Sequence, residues 1–167
     1  MNEEETREVL STALERVVKE DTDLLRYDVN ERSITHRLAV YLEEEISGKW
    51  DVDAEYNRVG EDEVSKAVPM EYLKSKIPDD VDPEDLDAKT VYPDVIVHSR
   101  GETFENLLVI EAKKSGGSGE YDRKKLTAYE DELRYEHGVF VTFKGIRGGE
   151  DPVIAVTGIH LKSSTIE

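Results

Sequence analysis

The chain contains no cysteine, which excludes disulfides and thiolate metal sites. It has no run of ~18 apolar residues, so no segment reads as a membrane span. The first residues, "MNEEETREVL", are acidic and do not form the basic-then-apolar pattern of a signal peptide. No internal repeat is evident. Basic residues are the minority, with 22 Lys and Arg against 39 Asp and Glu, for a net charge of −17. That balance ordinarily argues against a nucleic-acid partner, because phosphate binding runs on cationic contacts. At about 1 M salt, however, the Debye length falls to ~3 Å and an acidic surface ceases to repel itself. The composition therefore reads as that of a salt-adapted, halophilic protein; an ordinary acidic cytoplasmic protein is the alternative. Net charge describes the solvated surface and leaves open what a local site binds. A soluble cytoplasmic chain without a membrane partner is the expectation.

With 167 residues the chain is expected to form one domain with a sizeable core. Between Glu3 and Glu20, residues Val9, Leu10, Ala13, Leu14, Val17 and Val18 recur at helical spacing, and "EDTD" ends the helix. A second helix starts from Asn30 as N-cap and runs to about Ile46, before Gly48. "WDVDAEYNRV" alternates Val52, Ala54 and Tyr56 with charged residues, as a half-exposed strand does. Residues 61–90 are acidic and carry Pro69, Pro78 and Pro83, so they read as an excursion with one short helix around Met70 to Lys76. "VYPDVIVHSRGETFENLLVIEAKK" reads as two strands joined by a turn at Arg100-Gly101, and "SGGSG" as a loop. Tyr121 to His137 reads as a helix with Leu126, Tyr129 and Leu133 on one face and Gly138 as its stop. "VFVTF" and "VIAVTGIHL" complete the strands. The order α-α-β-β-β-α-β-β predicts an α/β fold with a mixed central sheet flanked by helices.

Charges stand at the tips of two of these strands. Asp94 opens one, and Glu111 and Lys113 close the next. Alternate strand residues share a face, so Glu111 and Lys113 point the same way, ~6.6 Å apart. Pairing through Arg100-Gly101 brings Asp94 beside them. Two carboxylates and a lysine suit a metal-dependent phosphodiester hydrolysis. Mg²⁺ takes one or two carboxylates plus water and phosphate oxygens. The ion acidifies a water, and a lysine can orient that water or stabilise charge at phosphorus. Glu31 falls within the apolar stripe of Ile34, Leu38, Leu42 and Ile46, where a carboxylate needs a partner. A first-turn glutamate favoured by the helix dipole is the alternative reading.

These residues resemble the PD-(D/E)xK nuclease superfamily. Its signature stands here as Pro93-Asp94 and Glu111-Ala112-Lys113, behind a helix bearing a glutamate. The likeness covers most of the chain. It is greatest to small bacterial and archaeal proteins with "ERSxTHRLAxYLE", "PDxIVHxRG" and "NLLVIEAKK" blocks, matching Glu31 to Glu43, Pro93 to Gly101 and Asn106 to Lys114. The resemblance implies a restriction-endonuclease-like αβββαβ core over a single domain, residues 1–167. It implies Mg²⁺- or Mn²⁺-dependent cleavage of nucleic acid, with DNA as the expected substrate. Asp94 and Glu111 would be metal ligands, Lys113 the catalytic lysine and Glu31 an accessory acid. Some members of this superfamily have lost activity, so an inactive binding or scaffold subunit is the second expectation.

Other candidates lie around this set. Lys125 lies on the sheet-facing flank of its helix, where the superfamily often places a polar residue near the metal. With Lys113, Lys114, Arg123 and Lys124 it makes a local basic cluster in an acidic chain, and Lys114, Arg123, Lys124 and Lys125 are candidate nucleic-acid contacts. His36 lies off the apolar stripe and is either exposed or a further phosphate contact. His98 shares a strand face with Asp94 but stands ~13 Å along it, too far for the same ion. Asp122 reads as an N-cap. "SGGSG" is not followed by Gly-Lys-Ser/Thr, so it is not a Walker A loop. Tyr56, Asn57 and Arg58 are expected on the rim. No helix-turn-helix or zinc module is present to read bases, and a homodimer is one way for so short a chain to span a duplex.

Overall fold

The computed structural model describes residues 1–27, 29–55, 68–69, 90–102, 105–114, 120–144, 153–158 and 164–166. The "SGGSG" loop, Tyr56 to Arg58 and the excursion at 61–90, apart from three of its residues, lie outside the described residues.

Helix α1 (Glu3–Glu20) opens with a capping box: Asn2 Oδ1 accepts from Glu5 N at 2.9 Å, and Glu5 Oε2 accepts from Asn2 N at 2.8 Å. Its buried face is Leu10, Ala13, Leu14 and Val17, as the spacing predicts. A short helix not expected from the sequence, α2 (Thr22–Arg26), follows at once and buries Leu25. Helix α3 (Glu31–Glu45) starts at Asn30, whose side chain accepts from Arg32 N, and ends one residue before Ile46, which turns extended. Asp21 ties α2 to α3, accepting from Arg37 Nε at 2.7 Å and from the Tyr41 hydroxyl.

The strands are β1 (Asp51–Ala54), β2 (Val68–Pro69), β3 (Thr90–Val91), β4 (Val95–His98), β5 (Asn106–Lys114), β6 (His137–Lys144), β7 (Val153–Gly158) and β8 (Ser164–Ile166). Six form one sheet in the order β1-β4-β5-β6-β7-β8; β2 and β3 pair separately. Neighbours in the large sheet are antiparallel except β5 and β6, which are parallel. A parallel pair needs a crossover, and helix α4 (Glu120–Leu133) supplies it. The α/β class and the mixed, helix-flanked sheet agree with the sequence reading.

The two faces are packed differently. One carries α1 and α3 over Val95, Val97, Ile110, Ala112, Val139 and Val141. The other carries α4, with Leu126 and Tyr129 against Ile96, Val109 and Phe140. Period-2 alternation explains the division. It also sends Glu111 and Lys113 to the α4 face with Val109, and Lys114 to the α3 face with Ala112.

Three boundaries differ from the sequence reading. The strand expected across "VYPDVIVH" is broken at Tyr92-Pro93, with β3 in the small sheet and β4 in the large one. Proline has no N–H for a ladder, so the break falls where pairing would be lost. Helix α4 ends at Leu133, and Arg134, at φ 57°, takes the left-handed stop position assigned to Gly138. Gly138 instead lies inside β6, opposite Val109. Ala54 is exposed, not inward, at the end of a β1 of 4 residues. No helix among the described residues is long and apolar enough to cross a membrane.

Candidate functional site

The β4–β5 register pairs Val95 with Ile110, which brings Asp94, in the bend just before β4, level with the end of β5. Asp94 Oδ2 accepts from Ala112 N at 2.8 Å. Glu111, next to that amide, is fully buried at 0 % exposure. The hairpin that the sequence implies thus brings the two carboxylates together.

Helix α4 lays Asp122 and Lys125 over them. The Lys125 ammonium donates to Glu111 Oε2 and lies 3.3 Å from Asp122 Oδ1. Lys113 Nζ lies 3.3 Å from Asp122 Oδ2. The groups alternate in sign: Glu111, Lys125, Asp122, Lys113. Lys125 and Asp122 are buried, whereas the Lys113 side chain is 39 % exposed at the rim.

Glu31 approaches from the opposite face. Its Oε2 accepts from Lys114 N at 2.7 Å, and Lys114 Nζ donates to Val29 O at 2.7 Å. The start of α3 is therefore clamped to the end of β5, which satisfies the partner requirement of a carboxylate in an apolar stripe. The remaining candidates are more peripheral. Arg123 is exposed with its guanidinium 5.0 Å over the Phe140 ring, Lys124 is partly exposed, and His36 is exposed on α3. His98 is buried and bonded to Asp53 at 2.9 Å.

Asp122 is the residue that the sequence reading placed differently. Helix α4 begins at Glu120, so Asp122 lies inside the first turn and is not its N-cap. It bridges the two lysines instead. The i,i+3 spacing of Asp122 and Lys125 was the available signal.

The electrostatics are those of a site short of positive charge. Burial pushes the Glu111 carboxyl up to about 8, and Asp94 and Asp122 add to the shift while Lys125 opposes it. Burial also raises Asp94, against the pull of the Ala112 amide. Burial disfavours a charged Lys125, but Glu111, Asp122 and Asp94 more than offset that and hold it above the ordinary lysine range. One polar atom is left over: Glu111 Oε1 is buried without a hydrogen-bond partner. A buried acceptor in that condition is costly unless something meets it.

A hard divalent cation fits that atom. Glu111 Oε1 and Asp94 offer oxygen donors at one strand end, the donor type that Mg²⁺ and Mn²⁺ prefer. Among the described residues no group of three or more His, Asp or Glu side chains is arranged to hold a metal ion. A cation here would therefore rest on two carboxylates and complete its shell with water or substrate oxygens.

Comparison of the chain with protein-family models, with curated proteins and with solved structures finds no match. The functional reading rests on this geometry and on the signature residues.

Proposed function

We propose that the chain is a metal-dependent nuclease of the PD-(D/E)xK type that hydrolyses phosphodiester bonds, with DNA as substrate. The observation that carries this reading is the Glu111 carboxyl group: fully buried, one oxygen unpartnered, beside Asp94 and bonded by Lys125, with Lys113 linked to the same cluster through Asp122. The sequence α3, β1, β4, β5, α4, β6 supports a restriction-endonuclease-like αβββαβ core, with β2 and β3 as an insertion.

Asp94 and Glu111 would hold Mg²⁺ or Mn²⁺. The bound ion supplies an acidified water and neutralises charge developing at phosphorus. Lys113 sits at the exposed rim, where its ammonium can orient the attacking water and stabilise the phosphorane-like transition state. Asp122 holds Lys113 on that side of the strand. Glu31 fixes the backbone of Lys114 and with it the strand end that carries Lys113. Lys125 is close enough to the carboxylates to reach a phosphate oxygen. Lys114, Arg123, Lys124 and His36 are candidates for backbone phosphates farther out.

The test is cleavage of duplex and single-stranded DNA, and of RNA, with Mg²⁺ or Mn²⁺ across low and high salt. Asp94→Asn and Glu111→Gln should each lower the rate by about 10²–10³-fold or more, and EDTA should abolish it. A well-folded chain that cuts no nucleic acid under any of these conditions rejects the proposal.

A second reading has one observation in its favour: Lys125 already occupies one oxygen of Glu111 from within the fold. On that reading the chain is a non-catalytic subunit that keeps the architecture. Metal titration separates the two. Thermal stabilisation by Mn²⁺ that is lost in Glu111→Gln favours the nuclease; no response to any divalent ion favours the scaffold.

A further inference from the structure

We propose that Lys125 is a displaceable internal counter-ion, an ammonium that competes with the divalent cation for the Glu111 carboxylate and so limits the metal affinity of the site. The inference rests on the nuclease reading and deepens it.

Lys125 and Lys113 are not equivalent. Lys125 is buried, donates directly to Glu111 Oε2 and bridges to Asp122. Lys113 bonds to Asp122 and keeps 39 % of its side chain in solvent. A cation binding at Glu111 Oε1 meets the Lys125 ammonium on the other oxygen of the same carboxylate. The two positive charges are then separated by one carboxyl group in a buried setting, where repulsion is poorly screened. Metal entry must therefore break the Lys125–Glu111 bond or bear that repulsion.

The fold offers the displaced ammonium somewhere to go. Asp122 Oδ1 lies 3.3 Å from it, so a small rotation away from Glu111 leaves Lys125 still paired with Asp122. A lysine carries several rotatable bonds and three donors, which suits it to such a swing. In that position both lysines pair with Asp122, Lys125 on Oδ1 and Lys113 on Oδ2. The bond to Lys125 thus occupies the core acid when no metal is bound, and its release moves a second cation toward a phosphate when one is.

This assigns Lys125 an effect of unusual sign. A lysine that merely supports the metal site should weaken metal binding when removed. A counter-ion should strengthen it, because the lost repulsion acts on a divalent charge and the lost attraction on a single carboxylate.

The experiment is calorimetric titration of the full chain with Mn²⁺, without nucleic acid, for wild type, Lys125→Gln, Lys125→Met and Lys113→Gln. Lys125→Gln retains an N–H donor for Glu111 and serves where Lys125→Met does not fold. Either should bind Mn²⁺ about tenfold tighter or more, whereas Lys113→Gln should change affinity by less than about threefold. A measurement on the wild type needs no variant: acylation of lysines, mapped by mass spectrometry, should rise at Lys125 when saturating Mg²⁺ is added. Metal binding to the wild type that is equal or weaker in the Lys125 variants, or acylation of Lys125 unchanged by Mg²⁺, overturns the counter-ion role and leaves the nuclease reading standing. No metal binding in any form of the chain overturns both.

Discussion

Strand β4 has a charged cluster at each end, and the two are built on opposite terms. At its far end Asp53 takes two hydrogen bonds from Arg100, at 2.8 and 2.7 Å, and shares a third with His98. Arg100 N donates to the neighbouring Asp51 at 2.9 Å. Burial works against Asp53, yet Arg100 and His98 hold its carboxyl below the ordinary range. At the near end Glu111 is pushed up to about 8 and keeps one oxygen unmatched. Both clusters combine acids with bases, and both fasten neighbouring elements. Only one is left short of positive charge. Counting ion pairs would not tell them apart; asking which polar atoms remain unsatisfied does.

The largest expected effect breaks the near cluster from one side. Above about pH 8, where Glu111 is ionised, Lys125→Ala should cost about 3–5 kcal/mol, since it strands a buried carboxylate, and Glu111→Leu added to Lys125→Met should restore most of it. Urea unfolding of the three variants measures both. A single variant as stable as wild type would mean that Glu111 does not depend on Lys125.

The pH dependence comes next, and the two ends should differ in sign. Folded Glu111 keeps a proton that the unfolded chain releases, because its carboxyl lies near 8 and not at the ordinary 4.5. Its contribution to stability should therefore fall as pH rises from about 4.5 to 8, by at most about 1.4 kcal/mol per pH unit. Asp53 works the other way: its contribution is present above the ordinary carboxyl value of 3.8 and disappears as pH falls through its depressed one. Lys125 stays charged through both windows. Unfolding in EDTA from pH 3 to 9, for wild type and Glu111→Gln, resolves the two limbs; an unchanged slope above pH 5 in Glu111→Gln contradicts the assignment.

Smaller again is Asp53→Asn, which replaces one of the two acceptor oxygens that meet His98 and Arg100 with an NH₂ donor and should cost about 1–3 kcal/mol. It should leave Mn²⁺ binding untouched, which thermal shift can check. Salt should matter least. Arg100 is 51 % exposed on its side chain, so 1 M salt should weaken its pair by only a few tenths of a kcal/mol. The buried Lys125 pair should respond less still, a difference readable as salt sensitivity in Asp53→Asn against Lys125→Gln.

The near cluster was largely legible in the sequence because its logic is local. The apolar run Leu107 to Ile110 marks β5 as a buried strand, period 2 fixes the face of Glu111 and Lys113, and one hairpin brings Asp94 to them. The flank position of Lys125 followed from helical spacing. What escaped were features decided by pairing across the fold. Gly138 looks like a helix stop, but the parallel register requires β6 to begin at His137 opposite Leu108, so the helix ends earlier and Arg134 takes the strained position. Asp122 looks like a cap, and only the docking of α4 on β5 gives it two lysines instead. The short α2 is set by the burial of Leu25 and by the bonds from Asp21 to α3, which no local pattern announces.

The attachment of α4 to β5 carries one more consequence. Near its start the helix is pinned to the strand by Lys125 on Glu111. At its last residue and just past it the helix is pinned again, by Asn106 Nδ2 on Leu133 O at 2.6 Å and by Glu136 N on Asn106 O at 3.0 Å. The two anchor points on the strand are five residues, or ~17 Å, apart. A beam fixed at both ends can neither slide nor roll without breaking a joint; released at one end, it pivots about the other. Asn106, at the far bearing, therefore sets the angle at which the first turn of α4 meets the carboxylates, although it touches none of them.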